Sequence, residues 1–248
     1  MEGWAKAMQP VIYLLGPTAS GKTGLSVELA ARFSGEIVSG DSMQIYRDMH
    51  IASAAPDPEE TQAVPHHLFE FLSPEESFSV ARYVKAADAA IADIHGRGNL
   101  PFVVGGTGLY LSALSQHIVF DEEAADTEHR RALYAQAEQI GLPALYQRLT
   151  EVDPATAQKV SPNDKKRILR ALEIYETSGR TKSERDTHSK EGGPIYRNLL
   201  IGLRYRDRAL LYDRINRRVD LMLERGLLDE AKAAFGRPTA TAAQAIGH

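Results

Sequence analysis

Cysteine is absent from the 248 residues, which excludes disulfides and any thiolate metal site. That absence suits a reducing compartment. Long apolar runs are missing too: the longest spans about five residues, against the roughly 20 that a membrane-spanning helix needs. The opening "MEGWAKAMQP" has no apolar segment of the kind a signal peptide carries. Internal repeats and low-complexity segments are also lacking. Together these absences point to a soluble cytoplasmic protein with no membrane partner. A hydrophobic content of 43% and a charged content of 25% leave ample material for a buried core. The length suits one α/β domain with an insertion, or two small domains.

Charge is unevenly spread. The chain carries a formal net charge of −4, yet Lys159 to Arg218 holds 16 Lys+Arg against 8 Asp+Glu. A local basic excess of this kind is either the footprint of a polyanion partner or a solvated helical surface. Charge alone leaves both open.

The first 115 residues alternate strand and helix signals. "VIYLL" (11–15), "EIVSG" (36–40) and "PFVVGG" (101–106) read as strands, and Thr23–Phe33 and Phe78–Gly96 as helices. Residues 54–66, rich in proline and polar groups, read as a loop. Such alternation indicates a parallel sheet covered on both faces. From about Asp121 the pattern becomes helical, over Asp126–Ile140, Leu142–Val152 and Asn163–Thr177. "NLLIGLRY" (198–205) then looks like a returning strand, with further helices after it. The expected fold is an α/β class P-loop core, residues 1–118 and 195–248, interrupted by a helical insertion, 119–194.

Between the first strand and its helix lies "GPTASGKT": Gly16, Pro17, Thr18, Ala19, Ser20, Gly21, Lys22 and Thr23. This fits the P-loop of nucleotide- and ATP-binding proteins in both residues and context. Glycines let backbone N–H groups turn toward a phosphate chain, and the helix N-terminus adds its dipole. Lys22 supplies a mobile charge, and Thr23 can ligate Mg²⁺. Asp41 follows the second strand directly, at the sheet edge where α/β sites form. It is either a general base for a substrate or an N-cap. The third strand ends in Gly105 and Gly106 rather than in an acid, which weakens an ATPase reading.

Five further stretches narrow the choice. "GDSMQIYRDM" (40–49), "VPHHL" (64–68) and "VGGTGLYLSAL" (104–114) join "GPTASGKT" in the order in which they occur in the tRNA dimethylallyltransferases, and "SPNDKKRILRALEIYETSGR" (161–180) and "LYDRINRRVDLMLERGLLDEA" (211–231) resemble that family's later segments. The resemblance implies transfer of a dimethylallyl group from its diphosphate to the exocyclic amine of an adenosine beside a tRNA anticodon. It implies that Gly16 to Thr23 hold the diphosphate with Mg²⁺ on Thr23, and that Arg214 and Arg218 serve either pyrophosphate or RNA. Asp41 becomes the expected general base, with Lys22 and Thr107 as its catalytic companions. Ser42, Met43 and Gln44 share the acceptor side with Asp41, Gln44 offering both a donor and an acceptor to an adenine edge. Ser42, His66 and His67 read as structural.

At 100° per residue, Lys166, Arg167 and Arg170 fall within an arc of about 100°, opposite Ile168, Leu169, Leu172 and Tyr175. The resemblance turns this basic face into an expected tRNA contact made through phosphates. Two departures from the family pattern stand out: Ala55 occupies a position that is commonly basic, and the chain stops at "TAAQAIGH", where a typical member continues. The expected partners are tRNA and dimethylallyl diphosphate, acting on a monomer. The alternatives are an ATP-dependent small-molecule kinase, a transferase acting on a free adenine nucleotide, and an inactive tRNA-binding remnant.

Overall fold

The computed structural model describes residues 8–120 and 127–234. Five parallel strands form one sheet: β1 (Pro10–Leu15), β2 (Gly35–Ser39), β3 (His66–His67), β4 (Leu100–Gly105) and β5 (Arg197–Gly202), in the spatial order β3-β2-β4-β1-β5. Registers are continuous across the centre, with Leu14 opposite both Val104 of β4 and Ile201 of β5, and Ile37 opposite both Phe102 of β4 and His66 of β3. Every residue of β2 is buried. Such strands read as continuous apolar runs because helices cover both faces of a parallel sheet.

The helices are α1 (Lys22–Arg32), α2 (Pro58–Ala63), α3 (Val80–Gly96), α4 (Gly108–Ser115), α5 (Thr127–Ile140), α6 (Leu142–Val152), α7 (Pro154–Ala157), α8 (Lys165–Ser178), α9 (Lys182–His188), α10 (Arg208–Glu224) and α11 (Leu227–Ala234). None of those described is long and apolar enough to cross a membrane. The chain divides into two compact units, Met1–Ile118 with Pro194–His248, and Val119–Gly193. The first contains the sheet and packs Ile37, Phe102, Ala30 and Val64 into a core beneath α1. The second is wholly helical and has a core of its own, built on Leu133, Leu145, Leu149, Ile168 and Leu172.

Three elements differ from the sequence reading. Within the stretch read as loop, α2 forms because Asp57 and Glu60 make a capping box ahead of Pro58 at the first helical turn. His66 and His67 then run parallel to β2 as a two-residue strand, too short to give a periodic signal. The basic helix is shifted by about a turn's fraction to Lys165–Ser178: the Asp164 carboxylate accepts from the Arg167 N–H at 3.1 Å, and Gly179, at φ 68°, ends it. Asp126, expected to open α5, and the terminal "TAAQAIGH" lie outside the described residues.

Candidate active site

Three strands deliver the site. β1, β4 and β2 are neighbours in the sheet and end together, at Leu15, Gly105 and Ser39. The P-loop, the Gly106-Thr107 turn and the Gly40-Asp41 turn therefore emerge side by side at one carboxyl edge. Their closeness depends on missing side chains. A Cβ on Gly105 would lie 2.2 Å from the Gly40 carbonyl oxygen. Without it, the Gly40 N–H donates to Val104 at 2.8 Å and the Thr107 N–H to Gly40 at 3.3 Å.

The P-loop turns at Gly21, which sits at φ 86° and caps α1 with no side-chain bond of its own. That leaves the first N–H groups of α1 facing the loop, the arrangement that binds anions. The Lys22 ammonium donates to the carbonyls of Gly16 and Pro17, both at 2.8 Å. Burial lowers its pKa, and the nearby Asp41 carboxylate opposes that shift.

A cavity of about 340 Å³ is lined by Thr18, Lys22, Thr23, Asp41, Met43, Gln44, Ala52, Ser53, Ala54, Val104, Gly105, Ile215, Arg218, Val219 and Met222. It thus gathers the phosphate-loop cation and hydroxyls, the strand-end carboxylate, an amide and a second cation. The Asp41 carboxylate accepts from the Met43 N–H at 2.9 Å, an Asx turn that fixes its direction. The Gln44 amide donates to the Ala54 carbonyl at 3.1 Å, and the Arg218 guanidinium donates to the same oxygen at 3.3 Å. Burial depresses the pKa of Arg218 as well, again opposed by Asp41. Arg214 does not line this cavity; its Nε donates to the Ala19 carbonyl at 2.9 Å, which sets it against the P-loop.

Thr107 is the N-cap residue of α4, at the turn that follows β4. Its hydroxyl accepts from the Ser42 N–H at 2.9 Å and donates to the Ser42 hydroxyl at 3.2 Å. It ties the turn after β4 to the turn carrying Asp41. Gly16 and Pro17 face a neighbouring cavity of about 470 Å³, which shares Gly105 with the first and is walled by Leu15, Leu111 and Leu200.

Lys166, Arg167 and Arg170 belong to the helical unit. All three are exposed on α8, while Ile168, Leu169 and Leu172 are buried beneath them. Arg167 pairs loosely with Asp164 at 3.4 Å. Arg170 is more firmly engaged: with Arg130 it holds the buried Glu173 carboxylate, at 2.9 and 3.0 Å. Among the described residues no cluster of three His, Asp or Glu side chains could hold a metal unaided. Sequence reading missed the 52–54 wall and the apolar side of α10, because neither carries a chemical motif.

Comparison with known proteins adds an independent line. A model described as IPP transferase matches residues 44–248, and one described as isopentenyl transferase matches residues 9–69. The tRNA dimethylallyltransferase of Bacillus licheniformis is 47% identical over 246 residues, spanning 98% of this chain and 77% of that protein. The crystal structure of the tRNA isopentenylpyrophosphate transferase from Bacillus halodurans aligns at a TM-score of 0.66 and 44% identity, over 96% of this chain and 75% of that one. A eukaryotic dimethylallyltransferase captured acting on tRNA aligns at 0.77 with 35% identity, over 92% of this chain and 56% of that one.

Proposed function

The chain belongs to the tRNA dimethylallyltransferases, the IPP transferase family, and from that premise we propose how its residues divide the work. The activity is transfer of a dimethylallyl group from dimethylallyl diphosphate to the exocyclic amine of an adenosine adjacent to the tRNA anticodon. Family membership replaces the kinase alternative: the P-loop holds a leaving group instead of a phosphate to be handed on. One observation carries the assignment of roles, namely that Lys22, Thr23, Asp41, Gln44 and Arg218 line one cavity.

The diphosphate lies in the P-loop, its oxygens facing the N–H groups at the start of α1, Lys22 and Arg218. Arg214 braces the loop from outside through Ala19. Thr23 and the diphosphate itself are hard oxygen donors of the kind Mg²⁺ takes while keeping several waters, so a protein site with few carboxylates fits that ion. Mg²⁺ held there would neutralise charge on the departing pyrophosphate.

The bond between the allylic carbon and the diphosphate oxygen breaks, and its electron pair leaves with pyrophosphate. The adenine amine supplies the pair for the new C–N bond and loses a proton. Asp41, held by its Asx turn, accepts that proton, and Gln44 holds the base beside it. Preorganised N–H donors and cations at the leaving oxygens supply the electrostatic part of the rate. Thr107 acts through Ser42, keeping the Asp41 turn in place.

In the helical unit, Lys166 and Arg167 meet tRNA phosphates, while Arg170 serves chiefly to neutralise Glu173. The direct test incubates the 248-residue protein with dimethylallyl diphosphate, Mg²⁺ and unmodified tRNA, and weighs the RNA. A gain of one C5H8 unit is expected. tRNA that is bound but unchanged in mass would instead indicate the inactive remnant.

A further inference from the structure

One residue near the end of the 211–231 stretch, given no role by the sequence reading, reaches the wall of the active-site cavity. Glu230, on α11, accepts from the backbone N–H groups of Ile51 at 2.8 Å and Ala52 at 2.7 Å. These two N–H groups open a run of tight turns, in which Ser53, Ala54 and Ala55 donate back to Met49, Ile51 and His50. The first donors of such a coil have no partner within it, as at a helix N-terminus. A carboxylate some 180 residues away in the chain provides that partner, with both oxygens engaged.

The segment so anchored is under tension. Ala54 sits at φ 48°, a left-handed conformation that costs a residue bearing a Cβ about 1–2 kcal/mol and needs outside support. It bears the carbonyl that receives both Gln44 and Arg218. A single oxygen thus orients an amide facing the acceptor and a guanidinium facing the diphosphate. Its own place is set two residues away by Glu230. Arg225 pairs with Asp57 at 3.1 Å and secures the far end of the same segment.

We propose that Glu230 is a positioning residue for prenyl transfer. By clamping Ile51 and Ala52 it fixes the Ala54 carbonyl, and through it the directions of Gln44 and Arg218. The proposal rests on the reading of this cavity as the transfer site. It also gives α11 a function besides packing: a movement of that helix changes the donor side and the acceptor side of the cavity together.

Two double-mutant cycles test it. Calorimetric titration with inorganic pyrophosphate and Mg²⁺ is expected to show an affinity about tenfold weaker in Glu230→Ala, and that loss disappears in an Arg218→Ala background. Single-turnover transfer at saturating dimethylallyl diphosphate and tRNA falls about tenfold in Glu230→Ala, and Gln44→Ala absorbs most of that effect. Glu230→Gln, which keeps one acceptor oxygen, lies between, and it carries the same cycles if the alanine variant does not fold. An undiminished Glu230 effect in both backgrounds overturns the proposal. So does a variant that melts earlier yet keeps its pyrophosphate affinity and transfer rate. If the unaltered protein transfers no prenyl group but the pyrophosphate cycle behaves as described, the reading of the reaction falls and the positioning of Arg218 stands.

Discussion

Asp41 carries two commitments that pull on one side chain. As an Asx-turn acceptor it is fixed by the Met43 N–H, and as a carboxylate it faces Lys22 and Arg218 closely enough to oppose the effect of burial on both. A carboxylate in that position is prevented from turning away, and its charge offsets the effect of burial on the two cations. Asp41→Ala should therefore slow the chemical step by about 10²- to 10⁴-fold while tRNA affinity stays nearly unchanged, as single-turnover transfer and filter binding would show. A comparable loss in tRNA binding would mean that the carboxylate recognises RNA and does not take the proton. The place of Asp41 at the sheet edge was legible in the sequence because it directly follows a strand. The Thr107 hydroxyl was not, since a partner 65 residues away fixes its direction.

At the scale of an element, β2 contains a group that chemistry would keep out of a sheet. Glu36 is buried, with 3% of its surface exposed. Its oxygens take hydrogen bonds from Arg97 at 2.9 and 2.7 Å, from Asn99 at 2.7 Å and from His67 at 2.6 Å. Led by the Arg97 bonds, and against the effect of burial, these partners hold its pKa at about 2. A carboxylate depressed in the folded state adds stability above its unfolded pKa. That contribution disappears as pH falls from the usual value of 4.5 through about 2. Glu36→Ala should cost about 1–3 kcal/mol near neutral pH, because it leaves the half-buried Asn99 and His67 without their acceptor, and should blunt the acid limb of a denaturation profile. An acid limb unchanged in the variant would place the acid sensitivity elsewhere. This knot pins β3 to β2 through His67 and so gives "HHL" a structural task.

Over the whole molecule, charge is sorted by unit and by use. The basic excess from Lys159 to Arg218 runs through both units. Arg214 and Arg218 serve the phosphate loop and its cavity, whereas Lys166 and Arg167 stand exposed on α8. Contacts to RNA phosphates release counterions, so affinity falls linearly with the logarithm of salt concentration. Replacing Lys166 and Arg167 with alanine should weaken tRNA binding and flatten that slope by roughly one unit per lost contact. Arg170→Ala should chiefly destabilise the helical unit, by removing a partner of buried Glu173. Equal effects on the salt slope from all three positions would show that Arg170 leaves Glu173 to meet RNA.

Short-range rules determined much of this protein from its sequence. A P-loop is an eight-residue pattern set between a strand and a helix, and the strand-helix alternation placed Asp41 at the same sheet edge. Amphipathic spacing likewise placed Ile168, Leu169 and Leu172 inside and Lys166 outside. Tertiary structure alone decided that the sheet runs β3-β2-β4-β1-β5, that Gln44 and Arg218 share the Ala54 carbonyl, and that Glu230 holds the loop bearing it. Those partners are separated by 10 to 179 residues, and a hydrogen bond between them leaves no periodicity or spacing to read. Helices, caps and phosphate loops arise from interactions within a few residues, whereas the direction of a side chain in a cavity is set by whichever distant backbone the fold brings against it.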